Sequence, residues 1–272
     1  MSLTSFISIE EINEKFKETF TMPTFDLKDC IKCPSLTNNY SLIGTAFDYL
    51  FRFIIERENL GVNVVKKDWV CEIAIEDFAG NKKQLKLAKE TLEETRMLYE
   101  QYLKNGVLDK KLIKNSLILA QTDVSFRAGI VDDNFGKIEE RDIEDLENLI
   151  KIIPKNLFKA NKFCVLNPTF GKGSEIVGGA DADLIIDNTL IDVKTVKDLT
   201  LQRKYLHQLI GYYVLNEIGN IDGVKQKVEI ERLGIYFGRH GILYTFNLKD
   251  ALSGLDMPKF IKWFKNQARF YF

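Results

Sequence analysis

Up to residue 153 apolar positions recur at helical spacing; beyond Pro154 they alternate or gather in short blocks, so the chain changes texture near its middle. In EEINEKFKETF (10–20) Ile12, Phe16 and Phe20 fall on one side, predicting an amphipathic helix. IGTAFDYLFRFIIER (43–57) is apolar nearly all round and predicts a buried helix. LKLAKETLEETRMLYEQYLKNG (85–106) reads as a long helix stopped by Gly106; two more are expected over 109–121 and 138–153, the last ended by Pro154. Then FCVLN (163–167) reads as a strand and PTFGKGS (168–174) as a loop. EIVGGADADLIID (175–187) and TLIDVKTV (189–196) read as strands joined by the turn Asp187-Asn188. A helix is expected over 200–218, a hairpin of 232–238 with 242–248 across Arg239-His240-Gly241, and a closing amphipathic helix over 257–270. This order predicts an α/β fold with a mixed sheet flanked by helices. Residues 1–155 form a mainly helical lobe that includes the first core helix, and 156–272 form the core.

Composition narrows the partners. The 272 residues carry 38 Lys and Arg against 39 Asp and Glu, a net charge of -1, so a nucleic-acid partner would need a local positive field. From 151 to 210 nine Lys and Arg face six Asp and Glu. The opening MSLTSFISIEE lacks the basic-then-apolar order of a signal peptide, and no run of eighteen apolar residues occurs. Four irregularly spaced cysteines, Cys30, Cys33, Cys71 and Cys164, do not make a disulfide framework. A cytoplasmic protein with no membrane contact is expected.

The chemistry concentrates in DADLIIDNTLIDVKT (181–195). Strand side chains alternate, so Asp192 and Lys194 share one face while Ile191 and Val193 take the other. Asp183 on the preceding strand pairs beside them. Buried carboxylates must be paired or hold a cation, and an oxygen-rich pair suits Mg²⁺ or Mn²⁺. The Val193 carbonyl would add a ligand, and Lys194 would stand where it can orient or help deprotonate a water. A plain Asp–Lys ion pair at a strand edge is the competing reading; the apolar flanks argue against an exposed edge.

Asp183 followed by Asp192-Val193-Lys194 resembles the signature of the PD-(D/E)XK nuclease superfamily. Gln208-Leu-Ile-Gly-Tyr212 on the next helix is similar to the Q-x-x-x-Y element of its RecB-like exonuclease branch. The resemblance covers about 160–250. It implies a restriction-endonuclease-like core and a Mg- or Mn-dependent nuclease acting on DNA, by exonuclease-like action or by processing of ends and single strands. Asp183, Asp192 and Lys194 would be catalytic, with Gln208 and Tyr212 at the nucleic acid. A fainter trace, CPSLTNNYSLIGTAFDYLFRF (33–53), has Asp48 four residues after Gly44, where the branch often has histidine. Asp48 is either a further metal ligand or the partner of Arg52 one turn on; Glu56 is a weaker choice for the same role. A catalytically silent nucleic-acid-binding or scaffold module, and an RNA-directed nuclease, remain alternatives on the same fold.

Other motifs fail their tests. One CxxC (Cys30 to Cys33) is a thin basis for zinc, and the absence of cysteine beyond Cys164 breaks the iron–sulfur pattern of some RecB-like nucleases. GKGSEIVGGA (171–180) is not a phosphate loop, although Lys172 could touch phosphate. Only His207 and His240 occur, which removes HExxH chemistry; His207 is expected to face nucleic acid or solvent. Arg203 and Lys204, with Tyr205 beside them, are candidates to bind backbone phosphate and stack a base, or they are a solvated face over a core tyrosine. Lys82, Lys83, Lys86 and Lys89 read as a solvated face.

Overall fold

The computed structural model describes residues 2–28, 30–76, 78, 80–252 and 254–272, Arg127 by its backbone alone. Its elements in chain order are α1 Leu3–Ile7, α2 Glu10–Thr19, α3 Tyr40–Glu58, β1 Asn63–Lys66, α4 Val70–Glu76, α5 Lys82–Asn105, α6 Lys110–Ala128 and α7 Glu140–Lys151. After a 3-10 turn at Lys155–Phe158 come β2 Phe163–Leu166, α8 Lys172–Glu175, β3 Leu184–Ile186, β4 Thr189–Lys194, α9 Arg203–Gly219, β5 Arg232–Phe237, β6 Ile242–Asn247, α10 Leu248–Ala251 and α11 Met257–Tyr271.

The strands form a mixed sheet in the order β1-β2-β3-β4-β5-β6. β1/β2 and β4/β5 are parallel; the other neighbours are antiparallel. Alternation along each strand feeds two cores. Leu184, Ile191 and Tyr236 join α3 to α7 on one face. Ile185, Leu190, Leu233 and Ile235 join α1, α2, α9 and α11 on the other. The expected α/β architecture is present, and the N-terminal residues serve both layers: α1 and α2 lie with α9, whereas α3 lies across the sheet.

Local chemistry sets several boundaries. Asn81 accepts from the backbone of Lys83 and Gln84, and the Gln84 side chain accepts from the Asn81 N–H; this capping box starts α5. Gly106 ends it in the left-handed region at φ 75°. Asp187 heads the two-residue β3–β4 turn at φ 50°. Its carboxylate accepts from the backbone N–H groups of Asn161 (2.9 Å), Lys162 (2.8 Å) and Phe163 (3.2 Å), which ties the turn to the start of β2.

Two expectations are corrected. Residues 175–187 are not one strand: only 184–186 extend, and the glycine-rich part begins with the short helix α8 instead of a loop. Ser174 explains it, accepting from the Phe170 N–H at 2.9 Å and donating to the Ala180 carbonyl at 2.7 Å, so the segment folds onto itself. The mainly helical first half also contains β1, a four-residue strand paired in parallel with β2 from Asn63↔Phe163 to Lys66↔Leu166. So short a run has no readable period; its partner a hundred residues away gives it its conformation.

Candidate active site

β3 and β4 are antiparallel, with Leu184 opposite Ile191 as their last pair. The next pair outward sets Asp183 against Asp192. Beyond it β3 offers the Val193 N–H no backbone partner, and the Asp183 carboxylate accepts it at 2.5 Å. Asp192 is 1 % exposed. Its Oδ2 forms an ion pair with Lys194 Nζ at 2.7 Å. Lys194 Nζ donates to Gln208 Oε1 at 3.1 Å, and Gln208 Nε2 donates to the Tyr212 hydroxyl at 2.9 Å. The i, i+4 spacing of Gln208 and Tyr212 thus puts both on the α9 face that looks at β4. Lys194 also sits 5.4 Å from the centre of the Tyr205 ring.

The opposite wall comes from α3 and α6. Arg52 Nη2 donates to Asp48 Oδ2 at 2.7 Å, and its guanidinium lies 4.9 Å from the centre of the Tyr49 ring. The Tyr49 hydroxyl donates to Asp123 at 2.9 and 3.0 Å. α3 can approach because residue 44 is glycine: a Cβ there would meet Thr195 Oγ1 at 3.2 Å, just past Lys194. Asp48, Arg52, Asp123, Asp181, Asp183, Asp192, Lys194, Gln208 and Tyr212 all line one cavity of about 410 Å³.

Burial and mutual repulsion tune these groups. Burial, then the charges of Asp192 and Asp48, push the Asp183 carboxyl well above the usual aspartate range. Burial also raises Asp192, against the pull of Lys194. Burial works against the Lys194 ammonium, but Asp192 and Asp183 outweigh it and hold the group above the ordinary lysine range. Lys194 is therefore a cation here, suited to orienting a water or an anion and not to removing a proton. Burial and both aspartates keep the Tyr212 phenol protonated.

The donor set fits a hard cation in part. Among the described residues no three His, Cys, Asp or Glu side chains are placed to hold a metal ion by themselves. The cavity instead offers Asp183, Asp192 beside Lys194, and the Val193 backbone, while Arg52 engages Asp48. Mg²⁺ commonly takes one or two carboxylates and keeps several waters, so this set is compatible with it.

The sequence-derived residues thus separate. Asp183, Asp192, Lys194, Gln208, Tyr212 and Asp48 meet at the cavity. Arg203 and Lys204 are exposed at the start of α9, outside its lining, and Tyr205 is buried beneath them. Glu56 does not reach the cavity; it pairs with Lys66 at 2.7 Å and accepts from Tyr99. His207 is corrected: it is 1 % exposed, 5.4 Å from Phe16, where α2 covers α9. The cysteines do not converge. Cys30 is exposed, Cys33 neighbours Asp145 and Arg239, Cys71 packs beside Tyr49, and Cys164 is in β2. Lys172 is exposed, as are Lys82, Lys83, Lys86 and Lys89. Sequence reasoning missed Asp123, whose signal was faint: α6 buries polar Ser116, Thr122 and Asp123 with its apolar residues, so no clean face marks the side chain.

A larger cavity, about 980 Å³, opens at the far end of the β3–β4 hairpin. Of its carboxylates, Asp187 is occupied by backbone N–H groups and Glu231 by Asn188, while Glu229 is exposed to solvent, so no buried carboxylate pair stands there. No helix among the described residues is long and apolar enough to cross a membrane. No family model, curated protein or solved structure matches the chain.

Proposed function

We propose that this chain is a divalent-metal-dependent nuclease of the PD-(D/E)XK type, RecB-like in its Q-x-x-x-Y helix, which hydrolyses phosphodiester bonds in DNA. The observation that carries the reading is the facing pair Asp183 and Asp192 with Lys194 on the same side of β4, backed by Gln208 and Tyr212. Asp183, Asp192 and the Val193 carbonyl would hold Mg²⁺ or Mn²⁺. When bound, the ion supplies Lewis-acid polarisation of the phosphodiester and lowers the pKa of its water. Lys194 orients the attacking water or a nonbridging phosphate oxygen. Gln208 fixes Lys194, and Tyr212 fixes Gln208. Arg203 and Lys204, exposed at the start of α9, attract the phosphate backbone. Trimming of ends or single strands in a reducing cytoplasm is the setting that the resemblance suggests.

A catalytically silent nucleic-acid-binding module is the second reading. It is favoured by one observation, the commitment of Asp48 to Arg52, which leaves two carboxylates instead of three. One assay separates them. Linear and circular DNA, single- and double-stranded, and RNA of matched sequence are incubated with the protein and Mg²⁺ or Mn²⁺, beside EDTA and Asp192→Asn controls. Cleavage lost in both controls supports the nuclease; binding without cleavage moves the second reading ahead. Cleavage that survives Asp192→Asn overturns the assignment of the site.

A further inference from the structure

The cavity holds more negative charge than two metal ligands explain. Leaving aside Asp181, which is exposed at the rim, its buried and half-buried charges are Asp48, Asp123, Asp183 and Asp192 against Arg52 and Lys194. Four carboxylates and two cations leave a formal balance of −2, which one divalent ion cancels. A site with one carboxylate more, or one cation fewer, would be short of positive charge, and buried charge without compensation is costly.

Arg52 is the residue that sets this balance. It is 7 % exposed and cannot leave the cavity for solvent as a surface arginine would. Nη2 holds Asp48 at 2.7 Å, Nε donates to the Asp48 backbone carbonyl at 3.3 Å, and the Tyr49 ring flanks the guanidinium. Tyr49 in turn is tethered to Asp123. The charges of Asp48, Asp123 and Asp183 all act on Arg52. Guanidinium keeps its charge at any pH a folded protein meets and so behaves as a permanent cation. On the far side of the same cavity, the buried Asp192 Oδ2 has Lys194 Nζ at 2.7 Å. Each wall thus carries one cation: Arg52 is committed to Asp48 on the α3–α6 side, and Lys194 lies between Asp192 and Gln208 on the β4 side, while the Asp183 carboxylate takes the Val193 N–H.

We propose that Arg52 is a built-in counter-cation that occupies the second cation position of the site, so that the protein takes up one divalent ion, at Asp183 and Asp192, and not two. Arg52 is thus a positioning residue: it holds Asp48 away from the ion and fixes the charge of the α3–α6 wall. The inference rests on the metal-site reading above.

Binding stoichiometry tests it without cleavage. Mn²⁺ is titrated into the metal-free protein and free Mn²⁺ is followed by electron paramagnetic resonance. Wild type is expected to bind one ion, and Asp192→Asn none at the same concentrations. Arg52→Met, which keeps the length but removes the charge, is expected to bind a second ion; Arg52→Lys, which keeps the charge, is expected to bind one. Circular dichroism verifies the fold, and Arg52→Gln replaces Arg52→Met if the latter does not fold. Two ions in wild type, or one ion in the neutral Arg52 variants, overturns the proposal while leaving the metal site standing. No bound ion in wild type overturns the metal site itself, and this inference with it.

Discussion

Two buried sets of opposite charges in this molecule are built on contrary plans. Arg239 and Asp145 are almost fully enclosed and are saturated. Arg239 Nη1 and Nη2 bond the two carboxylate oxygens at 2.8 and 3.0 Å, and the guanidinium also reaches the Cys33 carbonyl and Ser35 Oγ. Asp145 receives the Ser35 hydroxyl and the Leu36 N–H as well. This is a fork-to-fork pair, and it pins residues 33–36 between α7 and the β5–β6 turn. In the Asp183, Asp192 and Lys194 group only Asp192 is as deeply placed, Asp183 and Lys194 are half-buried, and both carboxyls are pushed up in pKa with a single ammonium beside them. The first arrangement is complete without help. The second sets two carboxyls of raised pKa around one ammonium, the kind of perturbed cluster that marks a candidate site and not a staple.

That contrast can be broken at either end. The largest effect is expected at the cavity: Lys194→Ala should reduce metal-dependent cleavage about 10²–10³-fold, the range for losing one preorganised charge stabiliser, with little change in thermal stability. At the saturated pair the pattern should invert. Asp145→Ala leaves the Arg239 charge buried and unpaired and should cost about 3–5 kcal/mol in denaturant unfolding, while Mn²⁺ affinity, measured under conditions where the variant is folded, stays unchanged. A loss of cleavage with no loss of stability at Asp145 would erase the distinction.

A smaller effect comes from pH. His207 is buried without hydrogen-bond partners, and burial with nearby Arg203 and Lys17 lowers its pKa from 6.5 to about 4. The folded state thus holds fewer protons there than the unfolded state, so stability is lost as pH falls from 6.5 towards 4. His207→Leu should flatten this acid limb by about 2–3 kcal/mol, read as unfolding free energy against pH.

The smallest effect has the opposite sign. Asp183 has a raised folded pKa, so the metal-free protein should lose stability as pH rises above the ordinary aspartate range. Asp183→Asn relieves this. It should raise the melting temperature of the metal-free protein near neutral pH by about 2–4 °C, corresponding to about 1 kcal/mol, while abolishing Mn²⁺ binding. A lowered melting temperature would place Asp183 with the structural pair.

Much of the cavity was legible because strand periodicity is exact. Asp192 and Lys194 share a face at spacing two, and the turn Asp187-Asn188 fixes the register that brings Asp183 opposite Asp192. Gln208 and Tyr212 were legible for the corresponding helical reason. What stayed hidden depends on packing between elements distant in sequence. Asp123 reaches Tyr49 across 74 positions, and nothing near it in sequence announces that contact. His207 looked like a helix-surface residue because α9 is covered on several sides, by the sheet and by α1 and α2, so its sequence has no polar stripe from which to count. The glycine-rich stretch after Phe170 was misread because Ser174 supplies local hydrogen bonds that composition does not reveal.

The parallel pairing of β1 with β2 spans the whole helical excursion α4 to α7, from Asn63 to Phe163. Closing so long a loop costs entropy before any contact repays it, so this edge of the sheet should assemble late. The β3–β4 hairpin, in contrast, closes over two residues and can form early. During synthesis α3 and α6 leave the ribosome before Asp183 and Asp192, so the facing wall is already made when the hairpin appears. The site can then close as soon as the hairpin docks on that wall, ahead of the slow sheet edge at β1.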